Sequence, residues 1–467
     1  MRLWPIVYLA IQTTAHLAAP LANAAENPGW PRGGWQEADK IQASPLLVDL
    51  NADGREEILV PSFGDRLYVY RHTGQSLSGW PQQLGFSDGS IGSVAVGDVD
   101  GDGSVEIVVA GDDLLSRNAA VKVFEVDGTL RASVSLGATA SAKATPCLID
   151  CYRYKGPTEG DRHAAAEIVL RDGDGWLHVL YWNGSGFSDF CNGTSTYRTV
   201  TDDTLKDRYG AQPITSSASA VGNGSGQTTI VVGSTDSKVY RWSILSTAGI
   251  NWSITPQTPF QVTGRPVKFL GSPALVDLDR DGDYETVIGG SDGWLYVWEG
   301  SGSGAAFPGW PRQVSESIVS SPAVADLNFD GNLEIVAGSN DGKVYVWDSN
   351  GSLLPGWPAA TQGDVFASPV VAHLDRETTG AEVVAASLDG HLYAWTQNGT
   401  LLPRWPKRLN TPIFASPAIG NIHGGDRMAI VTAGYNGRIF VWDLSMRSAD
   451  TGWGWKQFRN GPARQGH

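Results

Sequence analysis

The stretch SSPAVADLNFDGNLEIVAGSNDGKVYVWDSNGSLLPGWP, residues 320–358, decides the fold, because it reads as one complete unit of a repeat. "SPAVADL" and "EIVAGS" are short runs of small and β-branched residues, the pattern of buried strands. An Asp-Gly turn follows, then the alternating run "KVYVWD", a third strand. The Asp-Gly pairs at 292–293, 341–342 and 389–390, with Asn436-Gly437, predict type I′ hairpins, in which both central residues take positive φ. The last piece, "LPGWP", carries a proline that cannot donate to a ladder, which assigns it to an outer edge.

Outward from this stretch the same first strand returns as "GSPALVDL" (271–278), "ASPLLVDL" (43–50), "ASPVVAHL" (367–374) and "ASPAIGNI" (415–422). Weaker forms are "GSVAVGDV" (92–99), "ATPCLIDC" (144–151) and "SASAVGNG" (217–224), which makes eight copies. The spacing near 50 residues is the mark of a propeller or an array. The expected fold is therefore all-β, a propeller of four-stranded antiparallel blades. The blade count is eight, with seven blades and one divergent unit as the alternative. The recurring "GWP", at 307–311, 354–358 and 77–81, with "LPRWP" at 402–406, would end each outer strand. Its tryptophan would cover the seam between blades, and its proline would protect the edge. The competing use of these tryptophans is stacking on sugar rings. "NPGWP" at 27–31 is an outer strand without a blade, so it or the C-terminal "GWGWKQFRNGP" at 452–462 closes the ring.

Composition agrees with many strands and tight turns: the 467 residues include 57 glycines and 18 tryptophans, and only 18% are charged. Residues 1–24 read as a secretory signal, with an apolar run from Leu3 to Ile11 and a small-x-small site at Ala22, Asn23 and Ala24. The rival, a membrane anchor, is contradicted by a short run broken at Pro5, Gln12 and His16. The expected product is exported (secreted, periplasmic or at the cell surface), monomeric and not membrane-spanning, with residues 25–467 as one domain. A formal net charge of −15 argues against nucleic acid and anionic membranes as partners. Cys147, Cys151 and Cys191 offer one disulfide, with Cys151 to Cys191 the pairing that would tie two loops, or three unpaired thiols.

Four units place an acidic loop between their first two strands: "DLNADGREE" (49–57), "DVDGDGSVE" (98–106), "DLDRDGDYE" (277–285) and "DLNFDGNLE" (326–334). Oxygen-bearing side chains stand at positions 1, 3, 5 and 9: Asp49, Asn51, Asp53 and Glu57; Asp98, Asp100, Asp102 and Glu106; Asp277, Asp279, Asp281 and Glu285; Asp326, Asn328, Asp330 and Glu334. Glycine at position 6 makes the bend, and position 7 (Arg55, Ser104, Asp283, Asn332) offers its carbonyl. Such a loop can wrap a hard cation. The alternative is an Asp-rich turn that caps its own backbone. Four bound divalent ions, eight positive charges, would move the net charge from −15 to −7.

Strand, D-x-D/N-x-D-G-x-x-E loop and "EIVAG" strand together resemble the FG-GAP repeats of integrin α-subunit propellers and their secreted bacterial relatives, over roughly residues 28–460. The resemblance implies about four Ca²⁺ sites at the positions just named and a role in adhesion or in binding extracellular protein or glycan. The pattern lapses in four units. Loop three is "CYRYKGPTEGDRHAAAE", loop four "GNGSGQTT", loop seven "HLDRETTGAE" with Asp375, Glu377 and Glu382, and loop eight "NIHGGDRM"; no calcium is expected there.

No nucleophile or metal-protease motif stands out, and His72, His163, His178, His373, His391 and His423 share no pattern, which suggests surface or loop packing for most. Two enzyme alternatives come from the resemblance of the propeller itself: a quinoprotein-type dehydrogenase, which lacks here its vicinal cysteines, and a polysaccharide lyase. The long segments 151–166 and 183–216 break the repeat, and Tyr152, Tyr154, Tyr197, Arg198 and Tyr209 are the candidates for partner contact.

Overall fold

The computed structural model describes residues 30, 32–33, 40–86, 92–113, 119–136, 144–149, 165–172, 176–190, 216–222, 227–246, 252–374, 380–424 and 428–444. These residues form eight antiparallel sheets in a ring, an eight-bladed propeller, and none of them is helical. Blade one is Leu46–Val48, Glu57–Ser62, Arg66–Tyr70 and Gln82–Gln83; blade two is Ala95–Gly97, Glu106–Asp112, Ala119–Phe124 and Leu130–Ser135. Blade three holds Cys147–Ile149, Glu167–Arg171, Leu177–Trp182 and Phe187–Asp189. Blade four, Ser219–Gly222 to Trp252–Pro256, carries an extra segment at Phe260–Gln261. Blades five, six and seven begin at Ala274–Val276, Ala323–Ala325 and Val370–Ala372.

Blade eight joins Ala418–Gly420, Ala429–Ala433 and Arg438–Asp443 to Arg32–Gly33 from the other end of the chain, with Arg32 opposite Ile439. The N-terminal segment thus supplies the missing outer strand.

A second device closes the circle. Each innermost strand is preceded by a serine or threonine whose backbone N–H donates to the hydroxyl of its counterpart in the following blade. The order is Ser44, Ser93, Thr145, Ser217, Ser272, Ser321, Ser368, Ser416 and back to Ser44, at 2.8–3.1 Å throughout. All eight residues are buried. Each of these buried bonds ties one blade to the next, so together they run unbroken around the ring. The hydroxyl before the proline in six of the eight repeats, visible in "SP" and "TP", is the sequence signal for it; Ser93 and Ser217 precede Val94 and Ala218.

The tryptophans seal the seams. Trp30, Trp80, Trp310 and Trp357 are 6–7% exposed, which leaves no open face for a sugar ring. Their indole N–H groups donate to His72, Val126, Ser349 and Gln397 carbonyls, each in the neighbouring blade. The glycine before three of them is required by contact: a Cβ on Gly79, Gly309 or Gly356 would lie 1.8–2.1 Å from the carbonyl oxygen of Asp127, Asn350 or Asn398. The motif interrupts the outer strand rather than ending it. Leu353 bridges to Trp347 before the turn, and Ala359–Ala360 pair with Lys343 and Val344 after it.

The hairpin expectation is corrected as well. Only the glycine of each pair has positive φ, 76–83° at Gly293, Gly342, Gly390 and Gly437. Gly293 N–H reaches the Gly290 carbonyl and Gly290 N–H the Trp294 carbonyl, so the loop has three residues with a left-handed glycine last. The aspartate keeps ordinary φ because its carboxylate is used. Asp292, Asp341 and Asp389 accept from the hydroxyls of Tyr296, Tyr345 and Tyr393.

Candidate metal centre

The acidic loops join the first two strands of blades one, two, five and six, so all four lie at one end of the ring. Each follows one scheme. The position-1 carboxylate accepts from the backbone N–H of the glycine at position 6: Asp49 from Gly54, Asp98 from Gly103, Asp277 from Gly282, Asp326 from Gly331. The position-5 carboxylate accepts from position 7: Asp53 from Arg55, Asp102 from Ser104, Asp281 from Asp283, Asp330 from Asn332. Position 4 is left-handed throughout, including the non-glycines Ala52, Arg280 and Phe329. These bonds are the self-capping turn weighed above, and they fold the acids inward.

The glutamate at position 9 differs from the rest. Glu57, Glu106, Glu285 and Glu334 open the second strand and are buried. One oxygen of each accepts from the position-2 N–H (Leu50, Val99, Leu278, Leu327) at 2.7–3.0 Å. Burial, reinforced by the neighbouring aspartates and opposed by backbone hydrogen bonds, one each at Glu57, Glu106 and Glu334 and two at Glu285, pushes Glu106, Glu285 and Glu334 up to about 7, and Glu57 in the same direction.

Two loops bring three carboxylates together. Asp98, Asp100 and Glu106 each offer an oxygen within 4.8 Å of the others, and so do Asp277, Asp279 and Glu285. In loop two, Glu106 Oε1 is fully buried with no hydrogen-bond partner. In loop five Glu285 Oε1 accepts from Gly300 N–H at 3.2 Å. In loops one and six position 3 is an amide, Asn51 or Asn328, so the corresponding trio has two carboxylates. These clusters could hold a metal ion, and their all-oxygen donor set suits a hard divalent cation.

The divergent units differ in kind. In blade seven Glu382 accepts from Leu374 N–H at 2.6 Å, although its loop carries an extra residue; Asp375 and Glu377 lie outside the described residues. In blade eight Ala429 stands at position 9, and Glu56 of blade one crosses the seam to accept from Asn421 N–H. Loop three, the partner-contact candidates Tyr152, Tyr154, Tyr197, Arg198 and Tyr209, and Cys151 and Cys191 lie outside the described residues, as do residues 1–29 and His163. Cys147 is buried in the first strand of blade three.

His178 departs from the expectation of surface or loop packing. It sits on the third strand of blade three, 4% exposed, between Asp189 (2.7 Å) and Asp172 (3.2 Å). Burial works against its charge, but hydrogen bonds and charge from the two aspartates prevail and raise it to about 9. By strand register its counterparts on blades five, six and seven are Tyr296, Tyr345 and Tyr393, whose hydroxyls donate to Asp292, Asp341 and Asp389 where His178 meets Asp172.

A family model for the FG-GAP-like repeat matches residues 49–109 and 277–337, the two spans that carry the paired acidic loops. No curated protein matches the chain. Among solved structures, BamB from Moraxella catarrhalis shares 14% identity at a TM-score of 0.52, over 87% of this chain and 100% of that one. Sqt1 from Saccharomyces cerevisiae shares 13% at 0.54, over 90% and 100%. Likeness at that identity speaks to the fold alone. Among the described residues no helix is long and apolar enough to cross a membrane. The chain is an eight-bladed β-propeller that carries FG-GAP-like repeats at residues 49–109 and 277–337.

Proposed function

We propose that the protein is an exported, calcium-stabilised binding module for an extracellular protein or glycan. The observation that carries this reading is the division of labour between the two ends of the ring. One end holds the acidic loops, whose side chains are committed to the backbone and to a cation. The opposite end, where the chain crosses from blade to blade, carries an aromatic strip: Phe366 is 41% exposed and lies 6.0 Å from Phe414, which lies 5.3 Å from Tyr435, with Lys40 over the Tyr435 ring. An aromatic row that is exposed at Phe366 and half-buried at Phe414 and Tyr435, with a cation at its end, suits contact with a partner's apolar groups or with a sugar face. Calcium at the other end would stiffen the scaffold that presents it. Occupancy at ten times the dissociation constant adds about 1.4 kcal/mol per site.

The test uses the chain from Ala25 on a panel of polysaccharides and extracellular matrix proteins, with calcium or with chelator, and measures the length of any retained glycan. Intact ligand retained in calcium, released by chelation and weakened by Phe366→Ser, is the expected result. Shortened chains would replace the binding reading with the lyase one, and retention of nothing would contradict it.

A further inference from the structure

We infer that Arg131 is an internal counter-ion of acidic loop two, and that a cation entering this loop has to displace it. The inference rests on the calcium reading above. Arg131 stands on Leu130–Ser135, the outer strand of blade two, and its Nη2 lies 2.8 Å from Asp100 Oδ2. The two side chains are unlike in setting: Arg131 is 40% exposed, Asp100 1%. The guanidinium therefore reaches from solvent onto the wall of the trio Asp98, Asp100 and Glu106, beside the unpartnered Glu106 Oε1.

Two further groups hold the arginine from outside the loop. Its Nε is 3.6 Å from Glu125 Oε1, and its guanidinium carbon is 5.0 Å from the centre of the Trp182 ring in blade three. Glu125 and Trp182 give it a place to remain when Asp100 is taken by a cation. Asp279, the counterpart of Asp100 in loop five, has no ion-pair partner among the described residues. The two trios thus meet a cation differently: in loop five Glu285 Oε1 already accepts from Gly300 N–H but no ion pair holds Asp279, whereas loop two must first break an ion pair and then bear a positive charge a few ångströms away. At an effective dielectric between that of water and that of a protein surface, such a charge weakens a site by about tenfold.

The experiment titrates calcium alone into the full chain by calorimetry, for the wild type, Arg131→Gln and Arg131→Lys, and again in an Asp98→Asn background. Arg131→Gln should tighten one site by about tenfold and leave the others unchanged. Arg131→Lys should keep the wild-type value, and Asp98→Asn should abolish the gain. Glu125→Gln, which removes the outer anchor, should weaken the same site and serves if Arg131→Gln fails to fold. Thermal unfolding adds a sign that a purely structural arginine would not give: Arg131→Gln should lower the unfolding temperature in chelator and not in saturating calcium. If the wild type binds calcium and neither Arg131→Gln nor Glu125→Gln changes any affinity, the inference is overturned while the calcium reading stands. If no variant takes up calcium, both fall.

Discussion

Blades six and seven are neighbours with the same strands, and they differ where the chemistry is. Blade six carries the full acidic set Asp326, Asn328, Asp330 and Glu334; blade seven has a longer loop and keeps the glutamate, Glu382. Yet both glutamates are buried and accept from the loop backbone in the same way, Glu334 from Leu327 and Glu382 from Leu374. The glutamate therefore has a task of its own, satisfying a buried N–H where the loop enters the second strand. What blade six adds is the nine-residue spacing and an aspartate, Asp326, at the first position, where blade seven has His373.

The seams of these blades differ too. Gly356 of blade six has φ +88° and faces the Asn398 carbonyl, where blade seven places Arg404 at φ +68°. The largest expected effect comes from exchanging them. Gly356→Arg should cost at least about 4 kcal/mol or prevent folding, since a Cβ there would lie 1.9 Å from a carbonyl oxygen. Arg404→Gly should stay within about 1 kcal/mol of the wild type in chemical denaturation, because it only relaxes a left-handed residue. Next comes Trp357→Ala, expected to lose about 3–5 kcal/mol through the buried indole and its bond to the Gln397 carbonyl.

Smaller effects separate the glutamate's two roles. Glu334→Ala and Glu382→Ala should each cost about 1–3 kcal/mol in chelator, by orphaning Leu327 or Leu374 N–H. In calcium the loss at Glu334 should widen and that at Glu382 should not. Equal behaviour of the two would erase the distinction drawn here.

The same glutamate sets a pH dependence. Burial and the adjacent Asp330 and Asp326 raise Glu334 from 4.5 to about 7. The folded chain then holds more protons than the unfolded one between those values, so cation-free stability falls as pH rises through that window. Calcium competes with the proton and removes the penalty. The calcium-induced rise in unfolding temperature should accordingly be larger at pH 8 than at pH 5, measured by differential scanning calorimetry. The smallest effect expected is that of Asp326→Asn, within about 0.5 kcal/mol in chelator, because Asp326 is only partly buried and an amide oxygen can still accept from Gly331. In calcium it should lose part of the metal's stabilisation.

What the sequence made legible follows the same division. The ring of blades was readable because a period near 50 residues and Trp357-type seams repeat in the letters, and repetition is a signal that needs no partner. The acidic loops were readable for the same reason. The hydroxyl girdle from Ser44 to Ser416 was written in the "SP" steps but went unread, because serine before proline has an ordinary local explanation. Arg131 beside Asp100 and Glu56 beside Asn421 were not legible: each is a contact across chain, set by how the blades meet. His178 was hidden because one of its aspartates, Asp189, comes from the outer strand, and which residue of that strand faces His178 is set by the pairing and not by the letters.

The central claim is that the acidic loops hold calcium, and the most direct measurement counts it. Equilibrium dialysis of the chain from Ala25 against millimolar calcium, followed by elemental analysis, should find about four ions per chain. Asp98→Asn with Asp277→Asn should remove about two, without disrupting the β-sheet circular dichroism. A chain that emerges folded and calcium-free would show that the loops are self-capping turns and would contradict the account.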